Sequence, residues 1–327
     1  MIDVRFFAPP ADLAHCFTTF YRLEVNVPPG EKLEDWLQPE WGNLRFFTDD
    51  PPTAQALKGP RVDGARFQAT GPSSCMTHFT LGLTRMWGIG LRPLGWARFV
   101  ADDASAHANT VVDGEAAPPF ARFAPLCDVL CTRARSDEEQ FDALSSFFRQ
   151  LAEPPRDQPR IQRVHEVMVD PRLLQVEEFA RRSGLSKRTL ERVCARHFGF
   201  APRLLLRRQR LMRSLAAFML EPRASWSAVI DRHYHDQSHF VHEFHAFMGC
   251  TPSDYAAQAH PVLGAFMAER KRMNRARADR ALARKKDAIA QRHRDDVRQC
   301  GRAGGAPRRR VAGLDPGRRR HGLVYTS

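Results

Sequence analysis

The sequence predicts an α+β N-terminal domain followed by an all-α C-terminal domain, in which two pairs of short helices flank a long central helix. A basic tail, helical or disordered, follows. Three observations carry this reading. Short runs with an apolar residue at every second position are confined to the front of the chain, the signature of half-buried strands. From about 160 to 257, apolar residues instead recur at three and four, the helical spacing. The charge also divides the chain: residues 1–159 hold 15 Lys and Arg against 21 Asp and Glu, residues 160–268 hold 16 against 10, and the last 59 hold 19 against 6. An acidic front, a basic middle and a very basic tail are three different objects. A length of 327 residues suits two domains with cores of their own, and 43% hydrophobic with 27% charged residues argues against wholesale disorder.

In the front segment, 77–83 alternates polar and apolar side chains and reads as a strand, and 85–91 and 96–100 read as further short strands. Pro28-Pro29-Gly30, Asp49-Asp50-Pro51-Pro52 and Gly71-Pro72 mark loops. After Pro118-Pro119 the pattern turns helical, with Phe120, Phe123, Leu126, Val129 and Leu130 on one face. A second helix follows Ser136, which with Glu139 makes a capping box, and it presents Phe141, Leu144, Phe147 or Phe148, and Leu151. Strands first and helices second suit a sensor or dimerisation module at 1–153. Pro154, Pro155 and Pro159 then stiffen a linker at 154–159.

Helices are expected over 161–169, 176–182, 186–198, 202–220, 225–232, 237–248 and 252–257, with Ser186 and Ser225 at N-cap positions. Within 160–258 one design occurs twice. In the first copy a short helix ends on small Ala180, Gly184 supplies a tight turn, Leu185 plugs the core, and Ser186 caps a second helix. In the second, a helix at 225–232 and a turn at His233-Tyr234-His235 lead to a helix opened by Asp236. These are two helix-turn-helix units, a geometry that projects the second helix of each into the major groove of duplex DNA. The first helix exposes Lys187, Arg188, Glu191 and Arg192, whose guanidinium and carboxylate groups suit guanine and cytosine edges. The connecting helix, 202–220, would be about 28 Å long at 1.5 Å per residue. That reach suits successive major grooves, about 34 Å apart.

These segments resemble the AraC/XylS family of transcription regulators. The matching residues are Leu185-Ser186-Lys187-Arg188-Thr189-Leu190-Glu191-Arg192, Gly199-Phe200-Ala201-Pro202, 207–217, and Tyr234-His235-Asp236-Gln237-Ser238-His239-Phe240, with Phe244, Phe247, Gly249-Cys250-Thr251-Pro252 and Tyr255 behind them. The resemblance covers about 100 residues in order. It implies base contacts from Arg188, Glu191 and Arg192 in the first unit, and from Gln237, Ser238, Val241 and His242 in the second. It also implies a strand-rich sensor in front. Four positions depart from the family pattern. His233 stands where glycine is usual and is expected to strain the turn. Val229 replaces an alanine, and His242 and His245 replace basic residues, which implies weaker or pH-sensitive reading by the second unit.

Other chemistries find little support. Gly88-Ile89-Gly90 is no dinucleotide loop, because Pro93 takes the third glycine's place. No nucleophile elbow, Walker loop or H-E-x-x-H is present, so no enzyme, catalytic residue or cofactor is expected. His235 and His239 are one turn apart, but no cysteine or paired carboxylate completes a metal site. The seven cysteines are scattered, Cys127 and Cys131 being the one close couple, and reduced thiols are expected. With no apolar run of membrane length and no basic n-region at the start, a cytoplasmic protein is expected. Arg181, Arg182, Arg207, Arg208 and Arg213 are candidate phosphate contacts. The expected partner is double-stranded DNA; a small-molecule effector, RNA polymerase and a second copy of the chain are further candidates. The tail, 262–327, reads as a DNA-affinity arm, a solubilising extension or a non-adaptive one. The resulting expectation is a sequence-specific transcription regulator, with a nonspecific nucleic-acid-binding protein as the alternative.

Overall fold

The front half is a two-sheet sandwich, seen in a computed structural model that describes residues 1–57, 59–151, 153–220 and 225–275. Its strands are β1 (Ile2–Phe7), β2 (Phe17–Val25), β3 (Leu33–Leu37), β4 (Asn43–Asp49), β5 (Thr53–Ala56), β6 (Arg61–Asp63), β7 (Phe67–Thr70), β8 (Thr77–Leu81), β9 (Thr84–Leu91) and β10 (Val111–Asp113). One sheet runs in the order β1-β2-β9-β4-β7-β10 and the other β3-β8-β5-β6, and all pairings are antiparallel. Between the sheets pack Leu23, Val25, Phe47 and Met86 from the first and Phe79 and Leu81 from the second. The register sets Gly88 of β9 opposite both Tyr21 and Arg45. A Cβ at Gly88 would lie 2.0 Å from the Tyr21 ring, so only glycine lets that ring cross β9 and deliver its hydroxyl to Arg45.

The larger sheet is covered on its other face as well. Helix α1 (Asp137–Leu151) lays Leu144 and Phe148 over Phe17, Phe20 and Phe99, with the Phe148 ring 4.9 Å from both Phe17 and Phe99. Each such aromatic removed from water is worth about 1.5–3 kcal/mol. The expected capping box is present: Ser136 Oγ accepts from Glu139 N at 3.2 Å while Glu139 accepts from Ser136 N at 2.8 Å. Asp137 in the first turn draws Arg5, Arg22 and Arg85 off the sheet.

The expectation of a strand at 96–100 is overturned. Pro93–Gly95 opens a helical turn that widens into a π-type turn over Trp96–Val100, which Ala101 ends at φ 60°. Trp96, Phe99 and Val100 are buried at spacings of three and four, and over five residues that pattern mimics alternation.

Helices dominate from α2 (Gln158–Met168) onward, and Pro159 is tolerated in its first turn, where no backbone donor is needed. There follow α3 (Val176–Ser183), α4 (Lys187–Val193, continued by a wider turn at Cys194–Phe198), α5 (Pro202–Leu220), α6 (Trp226–Val229), α7 (Gln237–Met248) and α8 (Pro252–Ala257). A further helix begins at 261. Residues Met1–Met267 gather into one compact unit, and a second begins at Ala268. The tail expectation beyond residue 275 lies outside the described residues. Within the first unit the core on the helical side of the larger sheet runs without a break into α2 through α5. A separate cluster, built on Leu211, Leu215, Phe240, Phe244 and Tyr255, holds α5 to α8 together.

Candidate nucleic-acid interface

The first unit folds as its residues dictate. Gly184 ends α3 in the left-handed region at φ 69°, and Leu185 N donates back to Ala180 O at 3.0 Å. Ser186 then caps α4, its hydroxyl accepting from Thr189 N at 3.2 Å. Leu190 and Val193 face the core, which leaves Lys187, Arg188, Glu191 and Arg192 exposed. Lys187 Nζ is not idle: it rests 2.5 Å from Glu177 Oε1 on α3. The pair is exposed, so a phosphate could replace the carboxylate at little cost.

The second unit makes its turn by a different device. His233 is not among the residues of positive φ, so the expected strain is absent. Instead Asp231 Oδ1 accepts from His233 N at 2.9 Å and lies 2.8 Å from its Nδ1, a side-chain-built turn. Asp231 is in turn bound by Arg213, and its own N–H donates to Ser214 Oγ at 2.8 Å, both on α5. The helix expected at 225–232 is only one turn, Trp226–Val229, and Ser225 bonds Ser227 rather than the helix end. Asp236 caps α7 by accepting from His239 N at 2.7 Å. Gln237, Ser238 and His242 are exposed; Val241 is half-buried and packs on the second core cluster.

Glu243, 2% exposed, ties α7 to α5. Its carboxylate takes Arg207 Nε at 2.9 Å, Arg210 Nη2 at 2.7 Å and the Tyr234 hydroxyl at 2.8 Å. Burial raises the pKa of this carboxyl, but the donors outweigh burial and hold it below the usual range. Sequence reading missed Glu243, because nothing local marks it. It gave Arg203 and Arg210 no role and weighed His239 only as a metal ligand; with Arg207 and His242 these residues line a cleft of about 440 Å³ reached from both units. The spacing of Arg203, Arg207 and Arg210 on one helix face was a usable signal.

Of the five arginines proposed for phosphates, four are engaged elsewhere. Arg182 pairs with Asp170, Arg207 with Glu243 and Arg213 with Asp231. Arg208 is buried at 1% exposure with its guanidinium 4.2 Å over the Trp41 ring. Arg181 is exposed and pairs only with its neighbour Glu178. His235 and His239 do not converge: the first sits by Asp236 and the second against the Tyr234 ring. Among the described residues no group of three or more His, Cys, Asp or Glu is placed to hold a metal, and no helix is long and apolar enough to cross a membrane.

Comparison with known proteins returns to the same segment. A family of helix-turn-helix domains matches residues 179–258. No curated protein matches the chain. Among solved structures the chain is similar to ToxT from Vibrio cholerae, at 12% identity and a TM-score of 0.40, covering 79% of this chain and 97% of that one. A form of ToxT bound to an unsaturated fatty acid gives 11% identity and a TM-score of 0.38, covering 78% and 94%. The AraC-like transcriptional activator CuxR gives 14% and 0.22, covering 65% and 86%. The chain carries a helix-turn-helix domain at residues 179–258.

Proposed function

We propose that this protein is an AraC-type transcription regulator that binds DNA sequence-specifically, with residues 160–258 as the reading domain, 1–153 as the sensor and 154–159 as the joint between them. Lys187, Arg188, Glu191 and Arg192 would read one major groove, and Gln237, Ser238, Val241 and His242 the next. The observation that carries this reading is the exposure of seven of these eight side chains on two capped helices anchored to one central helix. The test is selection of genomic fragments by the full chain at about 150 mM salt, where nonspecific binding is weak. One recurring motif with two half-elements near one DNA turn apart is expected. Replacing Arg192 by Ala should lower discrimination at one base pair by about 10- to 100-fold. If binding is equally strong on all fragments and indifferent to that change, the protein is a nonspecific nucleic-acid binder.

Effector control is the second part of the proposal. A narrow cavity of about 40 Å³ lies between the two sheets, apolar apart from Arg45, Gln68 and the threonines beside them. Val262 and Phe266, which follow the reading domain, form part of its wall. Phe266 stacks edge-on against Tyr21 at 4.9 Å. The start of that last helix is held by the sensor too, because the fully buried Asp35 accepts from Val262 N and Leu263 N, both at 2.9 Å. A ligand larger than the cavity must move Phe266, and so acts on the chain just beyond the DNA reader.

A further inference from the structure

We propose that His260 is a proton-operated latch. As an imidazolium seated between the Asp35 carboxylate of β3 and the Tyr255 carbonyl of α8, it docks the helix that begins at 261 onto the sandwich. Loss of its proton weakens that docking. The segment leaving the helix-turn-helix domain is thereby tied to the front half by a contact that senses pH near neutrality. The inference stands apart from both the DNA-reading and the effector proposals.

The helix needs a cap from outside. Pro261 opens its first turn and has no donor to satisfy, but the N–H groups of Val262 and Leu263 have no acceptor within the helix. Asp35 Oδ2 accepts from both at 2.9 Å, and Trp36 N donates to Oδ1 at 2.8 Å. The fully buried carboxylate thus holds three N–H bonds before the imidazole is counted, at the positive end of a helix. His260 Nδ1 lies 3.2 Å from Asp35 Oδ1, and Nε2 lies 3.0 Å from the Tyr255 carbonyl oxygen. A carbonyl can only accept, so both ring nitrogens meet acceptors, and only the doubly protonated ring donates to both. A neutral imidazole carries one N–H, and one of the two contacts then sets lone pair against lone pair.

The surroundings of the ring agree. Its side chain is 10% exposed. Burial lowers the pKa, but Asp35 and the Tyr255 carbonyl outweigh burial and hold it above 6.5. Tyr255 sets its own ring 4.3 Å from the imidazole, and its hydroxyl accepts from Gln38 Nε2 at 2.9 Å. Asp254, also on α8, is taken up by the cap at Thr251, and Glu269 on the docked helix pairs with Arg272. Of these groups Asp35 is the one in ionic contact with the ring. Apolar packing holds the same helix independently: Val262, Ala265 and Phe266 join the core between the sheets, with the Phe266 ring 5.8 Å from Phe6. Loosening rather than expulsion is therefore the expected result of losing the proton.

The released ring titrates near 6.5, so the latch is fully present below that value and is lost as pH rises through the higher value of the docked ring. For one linked proton the docking equilibrium falls by at most about tenfold per pH unit. Hydrogen exchange at the Val262 and Leu263 amides reads this docking, measured in the full chain, corrected for the intrinsic rate at each pH, beside the Leu23 amide of β2. From about pH 6 to about pH 9 protection at the two helix amides should fall by about threefold or more, and Leu23 should not follow. In His260→Gln their protection should already be lower at pH 6 and stay flat. The ring's own titration, followed by NMR of the imidazole nitrogens, should lie above 6.5 in the wild type. It needs no variant, so the proposal stays falsifiable even if His260→Gln fails to fold. A ring that titrates at or below 6.5, a flat wild-type profile, or an equal fall in His260→Gln would each overturn the latch. A parallel fall at Leu23 would overturn it too, because the whole domain rather than the helix would then be responding. No arm of the test uses DNA or a ligand, so its failure is separable from failure to select a DNA motif.

Discussion

Gly184 turns the chain in the first unit with a left-handed backbone, whereas the second unit makes its turn with Asp231, whose carboxylate is pinned by Arg213 on the central helix. The first turn is a property of its own residues: any chain with glycine there could make it. The second depends on a partner 18 residues away. A related contrast holds for the second helix of each unit. The core of α4 is continuous with that of the front half, through Phe198 packed 6.0 Å from Trp41. The matching helix of the second unit, α7, packs in a second cluster that also takes in Met76 and Trp36 of the front half, and it is fastened to α5 by the buried Glu243. Both units pack on the front half, and the second adds a buried carboxylate that ties it to the central helix. Two units of one design can therefore respond differently to the same perturbation.

The largest test of that contrast is Glu243→Ala. It leaves Arg210 and the Tyr234 hydroxyl without their partner in a buried site, which typically costs about 3–5 kcal/mol. A chemical-denaturation midpoint should report it, and a loss below about 1 kcal/mol would show that the ion cluster does not hold α7. Next come the turns themselves. Gly184→Ala forces a Cβ into the left-handed region at about 1–2 kcal/mol, while His233→Gly should change stability by only about 0.5 kcal/mol. Equal effects at the two sites would erase the distinction between a glycine turn and an aspartate turn. Ser186→Ala removes a hydroxyl that caps α4 and should cost about 1 kcal/mol; Ser225→Ala, whose hydroxyl caps nothing, should be silent.

Acid should separate the two halves most gently. His165 on α2 has its Nε2 buried without a partner, and burial, helped by Arg92, lowers its pKa from 6.5 to about 4. The unfolded chain therefore binds the proton more readily, so this contribution is full above pH 6.5 and declines as pH falls toward 4. Glu243 and Asp231 are buried, which raises their pKa values, but their donors outweigh that and hold both below the ordinary values of 4.5 and 3.8. Their contribution is present above those values and is lost only at lower pH. Unfolding followed by Trp fluorescence from pH 7 to 3 should show a first loss between 6.5 and 4 that His165→Phe removes. A single loss below pH 4 in the wild type would contradict it.

The sequence read some regions far better than others, and burial explains which. Strand β8 keeps one face half-exposed, so its residues alternate and the strand was legible. Strands β2 and β4 are covered on both faces, by the second sheet and by the helical layer, and buried polar residues such as Arg22 and Arg45 interrupt their apolar positions, so no period of two could be read. Apart from the one expected at 225–232, which is a single turn, the helices of 160–257 were legible to within a few residues, because they show one stripe to a core and several end on local chemistry such as Gly184, Ser186 or Asp236.

By itself, then, the sequence determined the local devices: caps, the glycine turn, the apolar stripes, and the two exposed rows of Lys187 to Arg192 and Gln237 to His242. Each is settled within a few residues by backbone geometry and hydrogen bonding, whatever surrounds it. Tertiary structure decided which charges are free. Arg208 looked like one more basic residue on an Arg-rich helix until Trp41 covered it, and Asp35 became the cap of a helix 227 residues away. Ionic partnership depends on distance in space and on how much water is excluded, and neither is written in the spacing of neighbours along the chain.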